Sequence, residues 1–419
     1  MKSKENILAL MGGSPTRTKP FTSWPIFGAS DEKRVLGALR SGKWGRLQGT
    51  EVDAFERDFA SMHGCRHGIA VVNGTVSLRI ALMALGIRAD DEVIVPPYTF
   101  LSTASAVVEA NAIPVFADID PDTFNLSPES VEQAITARTK AIIVVHFAGL
   151  PGAMDRLMKL AEERGIAVIE DAAHAHGASY RERPVGSLGH ISSFSFQSSK
   201  NLTCGEGGII LTNDDKLAAL CRSMHNCGRI PEGIWYEHHT ISGNYRLGEL
   251  QAALLNTQLR RLERQTKTRD ANGQLLADLL LRVPGITPQK RDETCTRHSY
   301  HLFMLKVDSK RFGVCRTAVV QALKAEGIPC SAGYGYSLNR QPLFCNKAFG
   351  PYLPKSTSKL SYGKQRFPNS DRLCAGEAIW IEHSVLLGTG KDMRDISRAF
   401  EKVYDNRIAL ADWARGIEQ

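Results

Sequence analysis

No stretch of this 419-residue sequence is apolar for long enough to cross a bilayer. The longest unbroken aliphatic run, Ala141–Val145, falls far short of the ~20 residues a spanning helix needs. The run Ile7–Met11 is likewise too short for the h-region of a secretory signal. Nine cysteines include no Cys-x-x-Cys pair, so neither a disulfide framework nor a zinc site is legible, and a reducing, cytoplasmic setting is expected. No Gly-x-Gly-x-x-Gly follows the first strand, which argues against a nicotinamide dehydrogenase. Gly390-Lys391 lacks the rest of a P-loop, and none of the 12 histidines forms His-Glu-x-x-His. The cluster Glu237-His238-His239 is too compact to clamp a metal from one helical face, so no metal is expected. Lys+Arg 52 against Asp+Glu 44 leaves a net charge of +8, but the excess is spread along the chain. Its densest stretch, Arg260 to Arg269, is interrupted by Leu262 and Glu263 as a solvated helix face would be, and no nucleic-acid partner is expected.

With 43% hydrophobic and 23% charged residues the chain is globular, and its length predicts two or three domains. Short β-branched runs at Ile69–Val72, Glu92–Val95, Pro114–Ala117, Ala141–His146, Ala167–Glu170, Ser193–Phe196 and Gly208–Thr212 read as seven strands. Several are apolar throughout, as strands buried on both faces are. Helical patterns such as Val76–Leu85 and Asp155–Arg164 lie between them, giving an α/β fold with a mostly parallel sheet flanked by helices. A longer helix is predicted over Leu247–Lys267, running on toward Val283, where Pro284-Gly285 ends it. Beyond lie a strand at His301–Val307, a helix at Val314–Glu326, an irregular stretch at Pro351–Pro368 and a helix at Met393–Tyr404. The expected division is an N-terminal segment 1–49 packing on the large domain and active site, a large domain 50–290, and a smaller α+β domain 291–419.

Ligands of open parallel sheets bind at the carboxyl ends of the strands, so the residues that follow each strand carry the most information. After the first comes Asn73-Gly74-Thr75-Val76-Ser77, which is either a helix N-cap or a phosphate seat built from free N–H groups and a hydroxyl. After the second comes Tyr98, either core or a platform for a flat ring. Asp171 closes an apolar strand, where a carboxylate needs either an internal partner or a protonated heterocyclic nitrogen. Lys200 follows the sixth strand among small hydroxylated residues, where a lysine is either exposed or desolvated and nucleophilic. A phosphate anchor, a ring platform, an acid and a lysine at the ends of one sheet match what pyridoxal phosphate requires.

The ordered strings Asn73-Gly74-Thr75, Pro97-Tyr98-Thr99-Phe100, Glu170-Asp171-Ala172-Ala173-His174, Ser193-Phe194-Ser195-Phe196-Gln197-x-x-Lys200-Asn201-Leu202, Gly205-Glu206-Gly207-Gly208 and Gly243-Asn244-Tyr245-Arg246 resemble the DegT/DnrJ/StrS sugar and aminocyclitol aminotransferases, which have fold type I. The resemblance covers nearly the whole chain. It implies pyridoxal 5'-phosphate as cofactor, Lys200 as the Schiff-base lysine, Asp171 on the pyridinium nitrogen and Tyr98 stacked on the ring. His174 would lie near the 3-oxygen, and Gly74, Thr75, the backbone of Val76 and Ser195 would hold the phosphate. Asn244 would reach across a homodimer interface to the neighbouring subunit's phosphate.

Many nucleotide-sugar members carry His three residues before the lysine, where this chain has Gln197; the Phe-Gln-x-x-Lys form resembles the scyllo-inosose aminotransferase and 3-amino-5-hydroxybenzoate synthase branch. The implied reaction moves an amino group from glutamine or glutamate to a keto-cyclitol, in aminocyclitol-type antibiotic biosynthesis. Alternatives are a nucleotide-keto-sugar acceptor, a dehydratase of the 3-amino-5-hydroxybenzoate synthase type, and a non-catalytic cofactor-binding regulator. Members that dehydrate sugars replace the lysine by histidine, and here Lys200 is present. Substrate-facing residues are expected around Trp44, Trp235 to His239 and Tyr334 to Tyr336.

Overall fold

A computed structural model describes residues 4–352 and 360–417. Strands β1 (His67–Val71), β2 (Glu92–Val95), β3 (Ile113–Phe116), β4 (Thr139–Val145) and β5 (Ala167–Asp171) are followed by a short hairpin, β6 (Ser179–Tyr180) and β7 (Arg183–Pro184), and then by β8 (Ile191–Ser195) and β9 (Gly208–Thr212). Seven of these form one sheet in the order β1-β9-β8-β5-β4-β2-β3. Only β9 runs against its neighbours, pairing antiparallel with β1 and β8, so the sheet is mostly parallel, as expected. The apolar runs explain the two-sided burial: Ile94, Ile142, Val144 and Val168 face one helical layer, while Val93, Ile143, Ile169 and Ile210 face the other.

Strands β10 (Ile286–Pro288), β11 (Cys295–Arg297), β12 (Leu302–Val307), β13 (Cys330–Ser331) and β14 (Ala378–Glu382) come later. Four of them make a second, antiparallel sheet, β10-β12-β14-β13, while β11 joins the β6–β7 hairpin. A single helix, Glu249–Leu280, links the two sheets and packs against helices Ala29–Arg40, Glu51–Met62 and Gly390–Asp405. A further helix at Arg407–Ile417 closes the chain. Part of the irregular stretch expected at Pro351–Pro368 lies outside the described residues.

The N-terminal segment does not pack as one piece on the large domain. Leu8 joins the core of the second sheet, and Glu326 accepts hydrogen bonds from the N–H groups of Ala9 and Thr16 (both 2.8 Å). Arg17 pairs with Asp392 (2.7 Å) and Asp395 (2.9 Å). Buried acids of the C-terminal unit, which also meet Lys402 and Arg398, thus hold the early residues to that unit. Trp24 and Pro25 then reach the central cavity, and Ala29–Arg40 lies on the long helix, where Asp31 meets Arg261 (2.7 Å).

Candidate active site

The ends of β1, β2, β4, β5 and β8 of the main sheet deliver residues to one cavity of about 950 Å³, and the second sheet closes it with Ser331, Tyr334, Trp380, Glu382 and His383. At the end of β1, Asn73 accepts from the N–H of Val76 (2.9 Å) and caps helix Gly74–Ala84. The helix start is pressed against the neighbouring strands: a Cβ on Gly74 would lie 2.8 Å from Cβ of Ser195, and one on Gly208 would lie 2.5 Å from the carbonyl of Asn73. Glycine at 74 and serine at 195 are what allow this approach. Thr75 Oγ1 sits 2.6 Å from Ser102 Oγ, and Gly74, Thr75, Ser102 and Ser195 all line the cavity. Two hydroxyls, a third at Ser195 and the first-turn N–H groups form a cradle of the size and polarity of a phosphate, at the positive end of a helix. Val76 is a correction to the sequence reading: its N–H is taken by the Asn73 cap and it does not line the cavity. Asn73 thus caps the helix, while the adjacent Gly74 and Thr75 line the cavity.

Asp171 is the last residue of β5 and is buried, with Thr103 Oγ1 donating to Oδ2 (2.8 Å) and the N–H of Ala173 to Oδ1 (3.3 Å). Burial pushes its pKa up, against the pull of those hydrogen bonds and of Lys200. No cation lies within ion-pair reach of Asp171 among the described residues, so its carboxylate is available to a cationic ring nitrogen in the cavity. Lys200 follows β8, lines the same cavity, and is pulled down to about 8 by burial, while Asp171 raises it. A lysine near 8 has a usable neutral amine at neutral pH. His174 also lines the cavity, accepts from the N–H of Ala148 at Nδ1 (3.3 Å), and packs against His301 with the ring centroids 4.1 Å apart and the planes tilted by 33°. Burial holds His174, His301 and His383 well below the usual histidine value, so all three face the cavity as neutral rings.

Tyr98 is the second correction. Its ring is 1% exposed, packed edge-on against Phe147 and Tyr334, with its hydroxyl accepting from Trp380 Nε1 (3.1 Å), and it does not line the cavity. Phe100, two residues on, does line it and is 59% exposed. An exposed ring beside Asp171 and Lys200 is the flat apolar face that a planar cofactor can cover. Asn244 is exposed and does not line the cavity of its own chain; Trp44 and Trp235 are exposed away from it, while Tyr334 is at its wall. His239 pairs with Glu237 (3.4 Å) on the exposed loop, away from the cavity. Sequence reading missed Trp24, Phe100, Ser102, Thr103, His301, Trp380, Glu382 and His383. Phe100 and the hydroxyl pair Ser102-Thr103 lie in or just behind the β2 turn and carry a local signal; Trp24, His301, Trp380, Glu382 and His383 come from distant segments and have none.

Glu170, beside Asp171, has a different task. It is fully buried and accepts from His146 Nε2 (3.0 Å) and from the N–H groups of Gly186 (2.8 Å), Leu188 and Gly189 (both 2.7 Å). Burial alone would raise its pKa, but this set of donors holds it below 4.5. Glu170→Ala is expected to cost about 3–5 kcal/mol, read as a shift in denaturant midpoint, because it strands three buried N–H groups and His146. A depressed carboxylate stabilises the fold above its unfolded value, so this contribution should be present at neutral pH and fade as pH falls below about 4.5. A midpoint unchanged in Glu170→Ala would contradict the clamp.

Residues 25–397 match the sequence model of the DegT/DnrJ/EryC1/StrS aminotransferase family. The L-glutamine:2-deoxy-scyllo-inosose aminotransferase of Streptomyces kanamyceticus is 39% identical, over 98% of this chain and 100% of the relative. The 3-amino-5-hydroxybenzoate synthase of Amycolatopsis mediterranei is 37% identical, over 88% of this chain and 93% of the relative. A crystal structure of 3-amino-5-hydroxybenzoic acid synthase superposes with a TM-score of 0.85 at 35% identity, covering 94% of this chain and 100% of the other.

Proposed function

The chain belongs to the DegT/DnrJ/EryC1/StrS family of pyridoxal-phosphate-dependent aminotransferases, and from that premise we propose that it transfers an amino group from L-glutamine or L-glutamate to the ketone of a scyllo-inosose-like cyclitol. The observation that carries the choice of acceptor is the charge of the cavity wall. Among its described residues Lys200 is the one cation, the histidines are neutral, and the exposed carboxylates Glu206 and Glu382 line the same cavity as Asp171. A nucleotide diphosphate would meet carboxylates without a pairing cation, whereas cyclitol hydroxyls can donate to them. The name of the Streptomyces kanamyceticus relative supports the same donor and acceptor.

Pyridoxal phosphate, when bound, supplies an electron sink that makes the donor's α-hydrogen acidic. Thr75, Ser102, Ser195 and the N–H groups of Gly74 and Thr75 would hold its phosphate, and Phe100 would cover one face of its ring. The Asp171 carboxylate would keep a proton on the ring nitrogen, positioned by Thr103 and the N–H of Ala173. Lys200 Nζ, as a neutral amine, would take the proton from the donor's α-carbon and return it on the same face. His174 would fix the ring's oxygen edge. Glutamine hydrolysis is not required, since the donor leaves as its oxo-acid. A homodimer would complete the site: Asn244 is placed on the surface rather than at its own cavity, and the exposed Trp44, Leu47, Ile234, Trp235 and Ile241 give a second copy apolar area to bury.

A donor and acceptor panel tests the assignment. Turnover with glutamine and scyllo-inosose is expected. The second reading, a 3-amino-5-hydroxybenzoate synthase activity, is favoured by the TM-score of 0.85; formation of an aromatic product from an aminodehydroshikimate-like compound would replace the first reading by it. Turnover confined to nucleotide keto-sugars would overturn both. The lysine sets a pH dependence as well. With Lys200 near 8, the nucleophilic neutral form grows about tenfold per pH unit below that value and saturates above it. Capture of pyridoxal phosphate by apoenzyme, followed by stopped-flow absorbance, should accelerate up to about pH 8 and then level; a rate flat from pH 6 to 9 would contradict this.

A further inference from the structure

Arg269 lies on the long helix Glu249–Leu280 with no exposed surface, and it is the bulkiest fully buried side chain of the described residues. None of its three guanidinium nitrogens has a hydrogen-bond partner, and no carboxylate pairs with it among those residues. Burial lowers its pKa, and no neighbouring acid raises it. A guanidinium nevertheless stays protonated at neutral pH. A net cation therefore sits in the interior with five unused donors, which is the most costly arrangement a side chain can adopt unless something anionic meets it. The Trp24 ring, whose centroid is 5.4 Å from the guanidinium carbon, offers its π face but no lone pair and no charge.

Other buried polar atoms near Arg269 are unsatisfied too. Thr266 is one turn earlier on the same helix, and its hydroxyl has no partner. It faces Gly177, where a Cβ would approach Oγ1 to 3.1 Å. His176 and His383, both close enough for Arg269 to depress their basicity, each leave Nδ1 unpaired. Their Nε2 atoms lie 2.9 Å from the carbonyl oxygens of Ser195 and Ser199, so Nε2 carries the proton and Nδ1 is a bare acceptor. The acceptors can take part of the Arg269 fork, directly or through water, but as neutral groups they cannot balance its charge.

We propose that Arg269 and the Thr266 hydroxyl form an internal binding site for a small monovalent anion of the halide class, behind the Lys200 loop. The size follows from enclosure: Arg269 is fully buried and does not line the central cavity, which favours a small ion over a phosphate or a substrate carboxylate. Chloride accepts from several N–H and O–H donors at once, matching the fork and the hydroxyl, and leaves the two imidazole acceptors to water or to the remaining N–H groups. Through the Ser195 and Ser199 carbonyls, the same cluster touches one residue just before the Gln197 to Lys200 turn and one within it.

Crystals of the holoenzyme soaked in sodium bromide test this directly. A bromine anomalous peak within hydrogen-bond distance of the Arg269 guanidinium is expected; water-like density there with no anomalous signal overturns the proposal. In solution, replacing gluconate by chloride at constant ionic strength should raise the unfolding midpoint saturably, by roughly 1–3 °C. The rise should vanish in Arg269→Met; a rise of equal size in that variant overturns the proposal. If Arg269→Met does not fold, Thr266→Val with bromide soaking takes its place, with reduced anomalous occupancy expected and full occupancy counting against the site.

Discussion

Lys200→Ala is expected to lower transamination roughly 10⁴-fold or more and to abolish the near-visible absorption of the holoenzyme. Lys200 is the one amine in the cavity, and its two tasks, attachment of cofactor and movement of the α-proton, have no second candidate among the described lining residues. Proton transfer by a positioned group alone is worth about 10²–10⁴-fold, and losing the attachment adds to this. Borohydride treatment of wild type should fix the cofactor to the peptide containing residue 200, and the variant should release it. Single-turnover assays with glutamine give the rate, and exogenous methylamine should restore part of it if the rest of the site is intact. Retention of full transamination by Lys200→Ala would sink the assignment. Cofactor affinity should fall far less than rate, because the cradle at Gly74, Thr75, Ser102 and Ser195 is independent of the lysine.

Much of this site could be read from residue order alone, for a definable reason. In a parallel sheet the strand ends converge, so following each apolar run to its end marks Asn73-Gly74-Thr75, Asp171 and Lys200, while Ser195 is added by the family resemblance. The same rule misplaced the ring platform. Beyond β2 the chain turns through Pro96 and Pro97, which drops Tyr98 into the aromatic cluster with Phe147 and Trp380 and brings Phe100 up to the cavity. Nothing in the spacing distinguishes the two rings. The wall supplied by Trp24, His301, Trp380 and His383 was illegible because those residues come from an N-terminal segment and a second sheet whose approach is set by tertiary packing. Helix Ala29–Arg40 escaped periodicity for a related reason: its buried face carries Asp31, held by Arg261 and Thr257, rather than an apolar stripe. Boundaries of the elements that were read shifted by a few residues where caps rather than hydropathy decide them, as at Asn73 for helix Gly74–Ala84 and Thr389 for helix Gly390–Asp405.

Asp171→Asn separates binding from chemistry. The amide keeps the shape of the carboxylate and can still accept from Thr103 Oγ1 or the N–H of Ala173, so the fold and the cradle should persist. What disappears is the charge. Asp171 is buried with no cation among the described residues within ion-pair reach, and its burial is tolerable only if a positive group meets it in the cavity. Removing one partner of such a buried pair typically costs about 3–5 kcal/mol, and at about 1.4 kcal/mol per decade this predicts a loss of roughly 10²–10⁴-fold in kcat. The loss should appear in kcat and kcat/KM together, since a proton on the ring nitrogen matters most as negative charge develops during α-proton removal. Cofactor stoichiometry should remain near one per chain, and a deuterium isotope effect on the donor's α-hydrogen should grow as that step becomes limiting. Near wild-type turnover in Asp171→Asn would contradict the role; loss of cofactor binding with turnover unchanged per bound cofactor would reassign the residue to anchoring.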